Sequence, residues 1–209
     1  SPSNRLKQAD IDAAKTLHIG VDVARFGDDK TVITPRVSTK VFEFRKYTKK
    51  DTMETAGNVL MCCKEYMKKF PHLKNCLVKV DDSGVGGGVT DRLREVIKAE
   101  KLPVRVIPVN NGESATDDYY FNLGGQLWGH VKELLEVNFS NNVQGKGVEV
   151  ELPNDSEMIK QLSVRKYHMT SKGKIQLESK DDMKKRGLGS PDTADSLALC
   201  LYDPNTWIY

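Results

Sequence analysis

Between Leu17 and Val109 the spacing of apolar residues switches back and forth between the short runs of a buried strand and the wider steps of a helix. This alternation limits the fold more than any other property of the chain. Leu17-His18-Ile19-Gly20-Val21-Asp22-Val23 reads as a buried strand. The β-rich runs Thr31 to Val37 and Lys40 to Tyr47 follow it, with turns at Gly27-Asp28-Asp29 and around Ser38-Thr39, and together they predict an antiparallel three-strand meander. Asp51 to Phe70 carries Ala56, Val59, Leu60, Cys63, Tyr66 and Met67 at helical spacing and is closed by Pro71. A strand returns at Cys76-Leu77-Val78-Lys79-Val80-Asp81. After the turn Gly84-Val85-Gly86-Gly87-Gly88, Val89, Leu93, Val96 and Ile97 mark a second helix, and Val104 to Val109 a further strand. Strand, helix, strand, helix, strand is the pattern of parallel pairing through crossover helices. The predicted fold is therefore α/β: a mixed sheet, meander plus parallel strands, flanked by helices.

Beyond that region, Asn110 to Asp118 is a polar loop, and Leu123, Leu127, Val131 and Leu134 line one stripe of a third helix. Val148 to Leu152 reads as a short strand. A β-ribbon is predicted from Leu162 to Met169 and Lys174 to Glu178, turning at Ser171-Lys172-Gly173. The last helix opens with a Ser190 cap and Pro191 at its first position, and its apolar stripe is Ala194, Leu197, Ala198 and Leu201. Residues 1–16 read as a linker or short helix and 17–209 as one domain, in keeping with a length of 209 residues. No apolar run approaches the ~20 residues of a membrane helix, and the start Ser1-Pro2-Ser3-Asn4-Arg5 lacks the core of a signal peptide, so a soluble, intracellular protein with no membrane partner is expected. Cys62, Cys63, Cys76 and Cys200 have no metal-site spacing and are expected to be buried free thiols; His18, His72, His130 and His168 are scattered and read as structural.

Chemistry is suggested by the carboxylates. Asp22 interrupts an apolar strand, where an ionised group is costly unless cations or donors meet it; the plainer reading is a strand-end Asp holding a turn. Asp81 repeats the arrangement at the end of the next parallel strand, and the carboxyl ends of such strands face one crevice, although Asp81 also suits capping of the following helix. Strand alternation forbids Asp81 and its neighbour Asp82 from facing the same side. Asp192 and Asp195 share one face of the last helix. The helix dipole accounts for Asp192 in the first turn but not for Asp195, read as lying further in. Carboxylates brought together repel, and bound divalent cations are the usual resolution; two of them ~4 Å apart activate a water and stabilise the leaving oxygen of a phosphodiester.

The glycine turn 84–88 is consistent either with a tight strand-to-helix connection or with phosphate contacts through its amides, and no GxxxxGK[ST] motif accompanies it. The net charge of +3 neither announces nor excludes a polyanion. Local clustering is more informative: Lys172 and Lys174 at the ribbon tip, then Lys180, and Lys184-Lys185-Arg186 before the last helix. With Arg25 just beyond Asp22, these residues are candidate contacts to a DNA backbone, although each also suits an ordinary solvated surface.

Three segments carry a resemblance. Gly20-Val21-Asp22-Val23-Ala24-Arg25-Phe26-Gly27-Asp28-Asp29-Lys30-Thr31, Val80-Asp81-Asp82-Ser83-Gly84-Val85-Gly86-Gly87-Gly88-Val89 and Gly187-Leu188-Gly189-Ser190-Pro191-Asp192-Thr193-Ala194-Asp195-Ser196-Leu197 resemble, in order, the motifs of the nuclease domain of the large terminase subunit of tailed double-stranded DNA bacteriophages. The resemblance implies an RNase H-like fold and a metal-dependent endonuclease that uses two Mg²⁺ or Mn²⁺ ions to cut concatemeric viral DNA during packaging. It also implies that Asp22 bridges the metals, Asp81 binds one and Asp195 the other, with Asp192 assisting. In that family an ATPase motor precedes the nuclease, so the resemblance leads to the expectation that this chain is an excised C-terminal domain beginning in the linker. The partners implied are double-stranded DNA, that motor, the portal and the small terminase subunit. The implied place is the host cell cytoplasm, transiently at the procapsid portal and not in the mature virion. Three other readings share some of these signals: a Holliday-junction resolvase or transposase core, a non-catalytic DNA-binding module, and a fragment of an actin-like ATPase. Against the last, Asp22-Val23-Ala24-Arg25 lacks the small Gly-Thr turn that such an ATPase needs after its first Asp.

Overall fold

The structure, a computed structural model, describes residues 2–24, 29–146 and 149–204, with side chains from residue 8 onward. The predicted mixed sheet is present. It contains β1 (Thr16–Asp22), β2 (Thr31–Val37), β3 (Lys40–Val41), β4 (Arg45–Tyr47), β5 (Asn75–Asp81) and β6 (Val104–Val109), in the order β3-β2-β1-β5-β6 with β4 also pairing β2. Strands β1, β5 and β6 run parallel, and β2 lies antiparallel to β1.

The crossovers are α2 (Thr52–Lys69) and α3 (Gly86–Glu100). The first is started by a reciprocal cap in which Asp51 accepts from the Glu54 amide at 2.7 Å and Glu54 accepts from the Asp51 amide at 3.1 Å. Their apolar stripes bury Val59, Leu60, Cys63, Val89 and Leu93 against one face of the sheet, built from Leu17, Ile19 and Val21 of β1 and Cys76, Val78 and Val80 of β5. Ile11 of α1 (Pro2–Ala13) is buried in the same core. All four cysteines are buried and free.

Strand alternation sends the other residues of β1 and β5, among them Gly20, Asp22, Lys79 and Asp81, to the opposite face. That face is covered by α7 (Asp192–Leu201), with α4 (Leu123–Val143) packed outside it. Three contacts seat α7. At Gly20 a Cβ would stand 2.2 Å from the Ser196 carbonyl oxygen and 2.4 Å from the Cys200 amide nitrogen, so only glycine lets the helix lie on the strand. The Ser196 hydroxyl bonds the carbonyls of Gly20 at 3.1 Å and Val32 at 2.9 Å. At the other end, the fully buried Lys79 ammonium donates to the Cys200 and Tyr202 carbonyls, each at 2.9 Å, where a helix leaves its last acceptors unpaired.

Several local expectations are corrected. The third strand of the meander is split into β3 and β4 beside Pro35, whose carbonyl accepts from the Phe42 amide at 2.9 Å but which has no N–H to return. The first arm of the ribbon does not begin at Leu162: α5 (Ser156–Val164), capped by Asp155, takes that residue, and the ribbon is only β7 (Tyr167–Met169) with β8 (Ile175–Leu177). A further short helix, α6 (Lys180–Lys185), is capped by Ser179. In place of the strand at 148–152, Glu151 makes an isolated bridge to Lys40, while Val148 lies outside the described residues. The last helix is capped at Pro191 rather than Ser190, without a side-chain bond; it starts later than read, and Asp195 therefore falls in its first turn. Most of the predicted Gly27-Asp28-Asp29 turn lies outside the described residues.

Replacing Gly20 by alanine drives a methyl group into two backbone atoms of α7, and a loss of at least ~2 kcal/mol is expected. Gly57, an exposed helical residue with nothing within 4 Å of its would-be Cβ, is the control, and its alanine variant should gain ~0.5–1 kcal/mol. Urea denaturation midpoints check both, and equal midpoints for the two variants would show that α7 does not rest on β1 at that point.

Candidate active site

Asp22 and Asp81 end the adjacent parallel strands β1 and β5. The register Val21↔Val80 places them at the same level, one residue further along. Alternation turns both toward α7, whose first turn brings Asp192 and Asp195. All four carboxylates are nearly inaccessible, Asp22 at 2% and Asp195 at 5%. Burial raises the Asp22 carboxyl well above its usual range; Lys180 opposes this, while Asp195, Asp192 and Asp81 push the same way as burial. Asp81, Asp192 and Asp195 therefore all sit within electrostatic reach of Asp22. Asp82 is turned away, as alternation requires, and accepts from the Thr90 hydroxyl at 2.9 Å.

Each carboxylate has a different set of partners. Asp81 accepts from the Ser83 amide at 2.9 Å and the Asn111 side chain at 3.3 Å. Its backbone lies directly under α3, where a Cβ at Gly86 would overlap the Asp81 carbonyl at 1.7 Å; glycine at that position of the turn is thus required by geometry. Asp192 accepts from the Lys30 amide at 2.7 Å, yet burial still leaves its carboxyl raised. Asp195 is the most heavily compensated. Its Oδ1 accepts from the Trp128 indole at 2.8 Å and Arg165 at 3.0 Å, and its Oδ2 lies 2.9 Å from the Lys180 ammonium. Burial favours its neutral form, but Lys180 and Arg165 outweigh burial and hold the carboxyl below its usual range. Lys180 also lies 3.9 Å from Asp22 Oδ2; burial opposes its charge, but Asp195 and Asp22 carry its pKa far above the ordinary lysine value.

These contacts correct one expectation. Divalent ions are not the one means of offsetting this charge: the Lys180 ammonium spans Asp22 and Asp195. Among the described residues, no three His, Cys, Asp or Glu side chains close into a ligand cage. The donor chemistry nevertheless fits Mg²⁺ or Mn²⁺, being hard carboxylate oxygen throughout. Asp81 and Asp195 line an open cleft of about 550 Å³ together with Asn111, Trp128, Arg165 and Lys180.

The predicted DNA contacts divide. Lys172 at the ribbon turn and Lys184 on α6 are exposed. Lys174 pairs with Asp118 at 3.3 Å and Lys185 with Asp182 at 2.8 Å; both are surface pairs that solvent weakens. Arg186 grips Glu178 at 2.5 Å and the Val164 carbonyl at 3.3 Å, strapping α6 to α5 and the ribbon. Arg25 lies outside the described residues. Trp128, Arg165 and Asn111 were not found by sequence reasoning, since each reaches the cleft from an element whose own pattern says only helix, helix end or polar loop.

No family model and no curated protein matches the chain. Solved structures do. The manganese-bound mutant nuclease domain of the large terminase subunit of bacterial virus Sf6 aligns with TM-score 0.75 and 16% identity over 98% of this chain and 95% of that one. The same nuclease domain, in a structure described without mutation or metal, gives 0.71 and 18% over 92% and 89%. The magnesium-bound large terminase nuclease of thermophilic phage G20c gives 0.56 and 19% over 88% and 79%. The chain has the RNase H-like fold of phage large-terminase nuclease domains.

Proposed function

We propose that this chain is a divalent-metal-dependent DNA endonuclease of the terminase type, with Asp22, Asp81 and Asp195 as its catalytic carboxylates and Asp192 assisting. The observation that carries the reading is the convergence of the first three from two strand ends and a helix N-terminus: Asp81 and Asp195 line one cleft, and Asp22 lies buried within charge range of both. Bound Mg²⁺ or Mn²⁺, two ions per site, would supply a polarised water and neutralise charge on the leaving oxygen. The chain's own residues do the rest. Asp22, Asp81 and Asp195 offer the oxygen ligands, and Asn111 and the Ser83 amide fix the orientation of Asp81. Lys180 keeps Asp22 and Asp195 from repelling each other when the cleft holds no ion. Lys172, Lys174, Lys184 and Lys185, on the ribbon and α6 beside the cleft, would hold the phosphate backbone, whereas Arg186 is better explained as a strap. Arg25 stays a candidate from its sequence position.

The finer reading follows from the family likeness: cutting of concatemeric double-stranded DNA during packaging, in the host cytoplasm and transiently at a procapsid portal, with an ATPase motor, portal and small terminase subunit as partners. Its support is the set of solved structures that share the fold.

Supercoiled plasmid with Mn²⁺ should be nicked by the native chain, and Asp22→Asn, Asp81→Asn and Asp195→Asn should each reduce the rate ~100-fold or more, with EDTA abolishing it. Undiminished nicking by all three variants would remove the site. Lys180→Ala should melt at lower temperature than the native chain in EDTA, because two buried carboxylates lose their shared cation, and should gain more melting temperature from Mn²⁺. An identical Mn²⁺ response in both proteins would count against an ion taking over the role of Lys180. Lys172→Ala and Lys184→Ala should each weaken DNA binding and reduce the slope of log affinity against log salt by about 1, as a lost phosphate contact does. An unchanged slope would place those lysines off the DNA path.

A further inference from the structure

Asp195 differs from the other carboxylates in that both donors on one of its oxygens come from elements that carry no acidic residue of the site. The Trp128 indole, from the first half of α4, and the Arg165 guanidinium, from the end of α5, meet on Oδ1 at 2.8 and 3.0 Å. The guanidinium lies over the indole, 4.7 Å from the ring centre, so each donor also fixes the other. Arg165 is held at its far edge too, since its Nε donates to the Glu178 carbonyl at the base of the ribbon at 3.2 Å. Its side chain is 10% exposed and that of Asp195 is 6%, so water competes little for these bonds. Oδ2 is left for the cleft, where Lys180 now meets it.

Building on the metal-site reading above, we propose that Trp128 and Arg165 are positioning residues which lock the Asp195 carboxylate with Oδ1 inward and Oδ2 toward the metal. A carboxylate free to turn about its last bond offers either oxygen and loses orientation entropy on ligation. One held by two donors on a single oxygen is ready before the ion arrives. Partners of this kind, hydrogen-bonded to a ligand rather than to the ion, typically alter metal affinity or activity 10–100-fold. Arg165 has a second consequence. Because the same guanidinium bonds the Glu178 carbonyl, and Arg186 holds the Glu178 carboxylate, the base of the ribbon is tied to Asp195 through two arginines.

The test uses the intact chain and reads equilibrium Mn²⁺ binding by calorimetry beside nicking kinetics. Trp128→Phe keeps the aromatic packing and removes one donor; Arg165→Met keeps most of the volume and removes the other; Arg165→Lys restores the charge without the fork. Both donor losses should weaken Mn²⁺ binding about 10-fold and lower kcat while leaving KM for DNA within about 2-fold, and Arg165→Lys should recover part of the affinity. Trp128 supplies a spectroscopic signature as well. Of the two tryptophans in the chain, Trp207 can be replaced by Phe, after which emission from Trp128 alone should shift on titration with Mg²⁺. Melting curves in EDTA identify any variant that has lost its fold, and Trp128→Phe, the mildest change, then carries the test. If Asp195→Asn abolishes Mn²⁺ binding while Trp128→Phe and Arg165→Met leave it unchanged, the positioning proposal is overturned and the metal site stands. If Asp195→Asn also leaves binding unchanged, the metal-site reading itself falls, and the proposal with it.

Discussion

Helix α7 rests on β1 across a gap that admits no side chain, since a methyl group at Gly20 would meet the Ser196 carbonyl oxygen at 2.2 Å. Everything at the cleft depends on that approach. It brings the first turn of α7 within charge range of two strand ends, and it allows the Ser196 hydroxyl to bond carbonyls of both β1 and β2, so the helix is fixed in rotation as well as distance. Lys79 secures the far end through the Cys200 and Tyr202 carbonyls. With the middle and the C-terminus pinned, the N-terminus that carries Asp192 and Asp195 has little freedom to swing away from Asp22. Repulsion among buried carboxylates would favour such a movement, and backbone packing resists it.

The charge is offset from a distance. Strand ends and α7 supply the acids, and every cation or strong donor that meets Asp195 arrives from elsewhere: Lys180 from α6, Arg165 from the end of α5, Trp128 from α4. The part of the chain beyond the parallel strands thus does more than decorate an RNase H-like sheet. It makes the carboxylate cluster tolerable in the absence of an ion, and Lys180 in particular occupies the space between Asp22 and Asp195 where an ion would be most strongly attracted. The two ends of the site are compensated unequally. Asp195 is held ionised below its usual range, whereas burial and neighbouring acids leave Asp22 raised.

What was legible in the sequence follows from regularity. Strand period and parallel pairing are simple repeats, so a lone Asp at the end of two apolar runs could be placed on one edge and one face before any coordinates. The last helix was legible for the same reason, through its stripe of Ala194, Leu197, Ala198 and Leu201. The partners of Asp195 were not, because Trp128 lies 67 residues away and Arg165 30 residues away, and neither carries a local sign of its contact. Helices α5 and α6 were missed because nine and six residues offer too few turns for a period to emerge, and their caps, Asp155 and Ser179, resemble ordinary loop residues. The broken third strand, by contrast, had a visible cause in Pro35.

That proline has a counterpart on the opposite border of the sheet. Pro108 lies in β6, and because the carbonyls of Pro103 and Val109 point inward to β5, the amide that Pro108 lacks would have pointed outward. One border is interrupted by a strand split in two and the other by a missing donor, so neither offers the unbroken ladder that a foreign strand needs in order to add itself. At both of its borders this sheet is therefore poorly suited to taking on an added strand.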